Sequence, residues 1–421
     1  MATRPPSSPL GRLLRSIGPG IITGAADDDP AGIATYSSAG ALLGVSMLWT
    51  ALITWPLMGV VQFMCARIGM VTGEGLGAVF KRKFPRWLVI IFSVALLAAN
   101  SINIGADLSG MADAGQLLTR IPSLALVFFF GLAIAAATVL FPYERIANTL
   151  KWLALSLLAY VIAAFVSGGS WAGVLRSTFL PSWPRSNAAW GMLVAILGTT
   201  ISPYLFYWQA SEENEEDIAK GRRTLASRRG ATPGEIAVRK FDVALGTFSS
   251  NLVMYFIILT TALTLHRHGI TRIDTSSQAA QALGPVAGPF AALLYTVGLV
   301  GVGLLAIPTL SGSAAYALAE TFRWREGLNQ PLRRAPAFYT VIILSTLFGV
   351  VLNFARVSPI RALYWSAVVN GLLAPFVLVA ILLVASDRKL MCDQPSSILS
   401  RVIVAVTTLF MFAAGIGMFV F

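Results

Sequence analysis

Eleven apolar stretches, each long enough to cross ~30 Å of hydrocarbon, recur along the 421 residues. They cover about residues 17–43, 45–66, 87–111, 122–141, 150–168, 188–210, 241–265, 287–319, 336–354, 360–385 and 399–421. The runs are continuous and do not alternate with polar residues, so each reads as an α-helix and not as a strand of a membrane barrel. Only 12% of the residues are charged, about half the roughly 25% of a soluble domain. A single water-facing core cannot hide that much apolar surface. The expected fold class is an all-α, multi-pass membrane protein with the lipid bilayer as its solvent.

A net charge of +12 would suggest nucleic acid in a soluble chain, but its distribution gives another answer. With a cytoplasmic N-terminus, all but seven of the 31 Lys and Arg residues fall in cytoplasmic segments. They include Arg12, Arg15, the Lys81-Arg82-Lys83 cluster, Arg222, Arg223, Arg228, Arg229, Arg333, Arg334, Arg388 and Lys389. The seven outside are Arg120, Arg176, Arg185, Arg267, Arg272, Arg356 and Arg361. The positive-inside rule then predicts an N-terminus in the cytoplasm and, after eleven spans, an external C-terminus in a cell membrane. No nucleic acid is needed to explain the basicity, and no obligate protein partner is evident. Residues 1–16 lack the apolar core of a signal peptide and read as a cytoplasmic tail. Loop 211–240 opens with Glu212, Glu213, Glu215, Glu216 and Asp217 before turning basic, and reads as a solvated cytoplasmic helix.

Cys65 and Cys392 define no disulfide framework. His266 and His268 share one polar loop without zinc-site spacing, and no hydrolase, kinase or phosphate-loop motif is present, so no enzyme is expected. The chemistry lies in the first apolar stretch, which contains Asp27, Asp28 and Asp29 followed by Pro30 and Gly32. Charge inside a span is costly and marks function. From a start near Ser16, Asp29 lies ~20 Å deep at the rise of a helix. Pro30 removes a backbone donor and Gly32 loosens the chain after it, which predicts a broken helix with free carbonyls beside carboxylates: a cation site. A second break is expected at Thr199-Thr200-Ile201-Ser202-Pro203-Tyr204 in the sixth stretch. The two breaks open two comparable five-span blocks, 17–168 and 169–385, leaving 386–421 as a loop and eleventh helix. Paired breaks of this kind point to a transporter's binding site. Glu74 and Glu144 read as solvated helix-end groups. Asn100, Asn103 and Asn370 read as helix–helix hydrogen-bonding groups, and Gly298, Gly301 and Gly303 as positions of close helix packing.

The run GPGIITGAADDDPAGIAT (18–35) resembles the first helix of the natural resistance-associated macrophage protein (NRAMP) family of divalent-metal transporters. In the same order, ARIGMVTGEGLG (66–77) resembles that family's second-span exit, ADLSG (106–110) its third-span acidic motif, and SDRKLM (386–391) the loop after its tenth span. The resemblance covers nearly the whole chain. It implies a leucine-transporter-type fold: two inverted five-helix repeats with broken helices 1 and 6, plus an eleventh helix. It also implies a metal site of Asp29, the Gly32 position, Thr199 and Ser202, with Asp27 and Asp28 close by. Asp107, Tyr204 and Asn370 are the candidates for proton transfer or for groups around the ion.

The departures from the family pattern are informative. Asp29 and Pro30 match, but Gly32 stands where the family has a metal-binding Asn. Thr199 stands where it offers an Ala carbonyl, and Ser202 where it has a Met thioether. Its proton-pathway Glu and His are Gly110 and Tyr204 here, while Asp107 is retained. A thioether favours Mn, Fe, Zn and Cd over Mg and Ca. A roomier site of carboxylate, hydroxyl and carbonyl oxygens suits an ion that keeps several waters, as Mg²⁺ does. The pattern resembles the family's magnesium-transporting branch, with Mn²⁺ also compatible. The expectation is a secondary transporter carrying Mg²⁺ or Mn²⁺ into the cytoplasm, weakly or not coupled to protons. No cofactor beyond the transported ion is expected. The competing reading is an ion-coupled carrier of a small organic solute such as an amino acid; an Asp at the break argues against it, because it would repel a substrate carboxylate.

Overall fold

A computed structural model describes residues 19–141, 153, 155–355 and 357–420. The expected tail 1–16 with Arg12 and Arg15, the first residues of the first and fifth spans, Glu144 and Arg356 lie outside the described residues. Among the described residues every regular element is helical. The main helices are α1 (Pro19–Asp27), α2 (Pro30–Leu43), α3 (Leu48–Thr72), α4 (Leu76–Lys83), α5 (Arg86–Thr119), α6 (Ser123–Leu140), α7 (Leu158–Val166) and α8 (Trp171–Phe179). They continue as α9 (Asn187–Thr200), α10 (Pro203–Ala219), α11 (Pro233–Thr264), α12 (Ala291–Phe322), α13 (Pro336–Leu352), α14 (Pro359–Ala385) and α15 (Ile398–Val420).

Nine helical stretches among the described residues are long and apolar enough to cross a membrane. One of them, Pro30–Thr72, turns at Gly44–Met47 and holds both the end of the first expected span and the second. The fifth expected span is represented by α7. The first and sixth expected spans are each split in two, α1/α2 and α9/α10, as the Asp-Pro and Ser-Pro pairs predicted.

Capping explains where the apolar reading misplaced an end. The eighth apolar run, read from residue 287, starts just before its helix, and the seventh run is read from residue 241. Yet α11 begins at Pro233, because Thr232 and Glu235 form a reciprocal capping box and Pro233 takes the first helical position. The loop 211–240 is correspondingly not one solvated helix. Its acidic run continues α10 to Ala219, a short turn covers Leu225–Arg228, and the rest is the start of α11. Glu213 and Asp217 are buried, because Arg239 on α11 reaches across to Glu213 while Arg222 holds Asp217. Glu74 is half-buried and paired with Arg82 at 2.6 Å.

Helices α5 and α12 pack along one another at the centre. Asn100 donates to Leu310 O and Ser313 Oγ at 2.8 Å across this contact, the helix–helix role expected of it. A Cβ at Gly303 would strike Met111 Sδ at 2.3 Å, so that glycine sets the spacing of α12 on α5. Beside the second break, Gly198 lets α9 touch α14, where a Cβ would come within 2.0 Å of Ala367 O and 2.4 Å of Gly371 N. Residues in and just beside two of the family-like segments meet at one end of the bundle. Arg67 donates to Gln394 O at 2.9 Å, and Lys83 hydrogen-bonds Asp387, whose carboxyl it holds below the usual carboxylate range.

Candidate metal site

The first break follows from three residues. Proline favours an extended predecessor and lacks an N–H, so Asp29 adopts φ −76°, ψ 169° and Pro30 starts α2. Aspartate is a strong N-cap, and Asp29 Oδ1 accepts the Gly32 N–H at 2.6 Å. The second break has the same design. Ser202 is extended at φ −83°, ψ 133°, and Pro203 starts α10. The Ser202 hydroxyl does not cap α10; it turns back to donate to the carbonyls of Thr199, at 3.0 Å, and Gly198.

The two breaks face each other. Tyr204, one residue into α10 past Pro203, donates its hydroxyl to Ala26 O at 3.0 Å at the end of α1. The Thr199 hydroxyl lies 3.1 Å from the Tyr36 hydroxyl on α2. Position 32 lies against the first break, since a Cβ there would lie 3.3 Å from Asp29 Oδ1 and from Tyr36 Cε2 and 3.6 Å from Asp27 O.

Two further helices close the sides. From α5, Asn103 Nδ2 donates to Asp29 Oδ2 at 3.0 Å. Asp107, one helical turn farther on, is fully buried and neither of its oxygens has a hydrogen-bond partner. From α11, the Ser250 hydroxyl lies 2.6 Å from Asp27 Oδ2 and 3.0 Å from Asp28 Oδ1. The three consecutive acids therefore diverge: Asp29 turns to α5, while Asp27 and Asp28 meet at α11. Among the described residues, no group of three or more His, Cys, Asp or Glu side chains forms a ready-made metal cage.

Asp27, Asp28, Asp29 and Asp107 are at most 6% exposed. None of the salt bridges among the described residues includes any of them. Buried carboxylates without a basic partner favour a cation or protons. Other oxygens at the gap are the carbonyls at the ends of α1 and α9, the hydroxyls of Tyr36, Thr199, Ser202, Tyr204 and Ser250, and Asn103 Oδ1. That set is hard and has no sulfur.

Asn370 is buried on α14 beside Gly371, where α14 meets α9, and its Oδ1 has no hydrogen-bond partner. Gly110 is a packing position: a Cβ there would meet Leu363 Cδ1 at 2.9 Å. Asn103 makes the interhelical hydrogen bond expected of it, and its partner is the Asp29 carboxylate; its place four residues before Asp107, on the same helical face, is the sequence signal for that partner. Ser250 and Tyr36 carried no such signal, because single hydroxyl residues are common in membrane helices.

Residues 20–421 match the family model described as "Natural resistance-associated macrophage protein-like". Among similar curated proteins is the "Divalent metal cation transporter MntH" of Caldanaerobacter subterraneus subsp. tengcongensis, 26% identical over 403 residues, covering 93% of this chain and 90% of that protein. The protein of the same description from Deinococcus radiodurans is 25% identical over 394 residues, covering 90% and 84%. Among solved structures, the Eremococcus coleocola manganese transporter in complex with an aromatic bis-isothiourea compound superposes with a TM-score of 0.77 at 17% identity, covering 99% of this chain and 88% of that one. MhsT in complex with L-phenylalanine gives 0.60 at 15% identity, covering 98% and 100%. These likenesses identify the fold as the leucine-transporter type, with its two broken helices.

Proposed function

This chain belongs to the natural resistance-associated macrophage protein-like family, and from that premise we propose that it is a secondary transporter carrying a divalent metal ion through the gap between the α1/α2 and α9/α10 breaks. The observation that carries this reading is the set of buried carboxylates at the gap with no basic partner among the described residues. The relatives described as divalent metal cation transporters, and the manganese transporter of the same fold, support it. Asp29 is the anionic ligand. Carbonyls at the ends of α1 and α9, and the Thr199 and Ser202 hydroxyls, supply neutral oxygens. Gly32 leaves room for water on the ion, and Asp27 and Asp28 accept hydrogen bonds from that water. An all-oxygen site with space for water suits Mg²⁺ and also accepts Mn²⁺.

The ion enters the cytoplasm, the N-terminus is cytoplasmic and the C-terminus external, in keeping with the placement of Lys and Arg. The five-helix blocks 17–168 and 169–385 are the two repeats, each contributing one broken helix to the site. Coupling to protons is weak or absent. The Tyr204 hydroxyl is engaged with Ala26 O, and a phenol near pKa ~10 relays protons poorly at neutral pH. An inside-negative potential supplies ~4.6 kcal/mol per 100 mV to a divalent cation, which is enough to drive entry.

The test is uptake of Mg²⁺, Mn²⁺ and Ca²⁺, with an amino-acid panel alongside, into liposomes holding the full chain and an internal pH dye. Mg²⁺ and Mn²⁺ uptake without stoichiometric acidification is the expected result. Amino-acid uptake in place of metal uptake would overturn the metal reading. Proton entry in step with metal, lost in Asp107→Asn, would show that a coupling route exists. In the same assay Ser202→Met is expected to shift preference towards Mn²⁺ by about tenfold, since it brings a soft sulfur to the end of α9. An unchanged Mg/Mn ratio would remove that side chain from the ion's surroundings.

A further inference from the structure

The α5 face opposite the first break carries more oxygen than the packing uses. Asn103 is fully buried, and its Nδ2 donates to Asp29 Oδ2 at 3.0 Å, while its Oδ1 has no hydrogen-bond partner among the described residues. Within one amide the oxygen and nitrogen lie about 2.2 Å apart, as the C=O and C–N lengths require. Asn103 Oδ1 is therefore within about 5 Å of the Asp29 carboxylate, a separation that one cation or one water can bridge. The assignment of the two amide ends is chemical, since a carboxylate accepts and only the –NH₂ end can donate. Asn100, three residues earlier, also has an Oδ1 unpartnered among the described residues, but its Nδ2 donates to Leu310 O and Ser313 Oγ on α12 and not to the carboxylate at the break, so it serves the helix contact. Asp107, four residues later, shares the Asn103 face and also has idle oxygens.

We propose that Asn103 is a positioning and selectivity residue of the cation site: its N–H fixes Asp29, and its Oδ1 takes part in the shell of the passing ion. This deepens the metal-transport reading above and rests on it. The geometry gives one residue two tasks. Held by Asn103 on one oxygen and by the Gly32 N–H on the other, Asp29 keeps one orientation. With Asp29 so held, the neutral amide oxygen adds a ligand without adding a further charge to a place that already has four buried carboxyl groups. Charge count and ligand number are what separate divalent ions at an oxygen site, so the amide bears on which ion is preferred.

The experiment uses the full chain in liposomes, with concentration series of Mg²⁺, Mn²⁺ and Ca²⁺ for wild type, Asn103→Leu and Asn103→Ser, and metal-free unfolding of each. Leu matches Asn in size and removes both polar ends; Ser keeps a donor and withdraws the carbonyl. The expected result is an apparent KM raised about tenfold or more for the preferred ion, as for other groups that orient metal ligands. The ratio among the three ions changes with it, beyond any fall in the metal-free unfolding midpoint that the broken Asn103–Asp29 hydrogen bond causes. A wild-type KM and ion ratio in Asn103→Leu overturns the proposal. So does an equal loss of maximal rate for all three ions at unchanged KM, which is the signature of a packing role. If Asn103→Leu does not fold, Asn103→Ser is read by the same criteria. A wild-type protein that takes up none of the three ions overturns the transport reading and this inference together, whereas normal wild-type uptake with unaltered variants overturns the inference alone.

Discussion

Divalent-metal uptake by Asp29→Asn is expected to fall more than ~100-fold, because the charge of the ligand set governs divalent-ion affinity over orders of magnitude. Asparagine is the informative replacement. Its side-chain oxygen can still accept the Gly32 N–H that Asp29 accepts at 2.6 Å, so the cap that starts α2 survives, and its –NH₂ can donate to Asn103 Oδ1 once that amide turns over. Alanine would remove that cap at about 1 kcal/mol and also leave the Asn103 amide without its acceptor, so lost transport in Asp29→Ala would mix a folding defect with a binding one. Asp29→Asn should therefore insert and unfold much like wild type and still fail to transport. Uptake of Mg²⁺ or Mn²⁺ at the wild-type rate by that variant would take Asp29 out of the ion's path and leave Asp27, Asp28 and Asp107 as the remaining anionic candidates.

The second large effect lies away from the ion. Arg239 on α11 is nearly fully buried and bonds to Glu213 at 2.8 Å, to Asp242 at 2.7 Å and to Glu216. Asp242 in turn accepts the Gly20 N–H at 2.8 Å from the first turn of α1. A single guanidinium thus ties α10, α11 and the start of α1 together. Arg239→Leu keeps the bulk and leaves Glu213 and Asp242 buried without their counter-charge, a change that costs about 3–5 kcal/mol. We expect a lower unfolding free energy by that amount in denaturant titration of the purified protein. Glu216→Gln, at a side chain that is 30% exposed, should cost well under half as much. Equal stability of Arg239→Leu and wild type would show that the cluster is not what holds the start of α1. The hold is tight because α1 approaches α11 closely: a Cβ on Gly24 would meet the Gly246 backbone at 2.4 Å.

Much of the design was legible in the chain before any coordinates. Continuous apolar runs over a chain with few charges specify membrane helices, because lipid leaves no other partner for the backbone polar groups. Two interruptions were legible for a local reason. Asp29-Pro30 and Ser202-Pro203 each combine a residue suited to the extended N-cap position with one that cannot continue a helix, and no distant contact is needed to break the chain there. The ends of helices were legible only where capping chemistry was read with the hydropathy. Pro233 lies eight residues before the apolar run that was taken as the start of its helix, and the Thr232–Glu235 box is what marks it.

What the tertiary structure decided is which of the polar residues meet. Three adjacent aspartates look alike in sequence, yet the break rotates Asp29 towards Asn103 on α5 and leaves Asp27 and Asp28 to Ser250 on α11. Asn100 and Asn103 differ by three positions in one helix, and one serves a helix contact while the other holds the candidate ligand. The acidic run after α10 reads as solvated until Arg239, more than twenty residues later, covers part of it. The reason is common to all three cases. Local backbone chemistry acts over a few residues and is written in neighbouring side chains. The pairing of buried polar groups depends on which helix faces which, and that is settled only when the whole bundle closes and each buried donor or acceptor must find its partner.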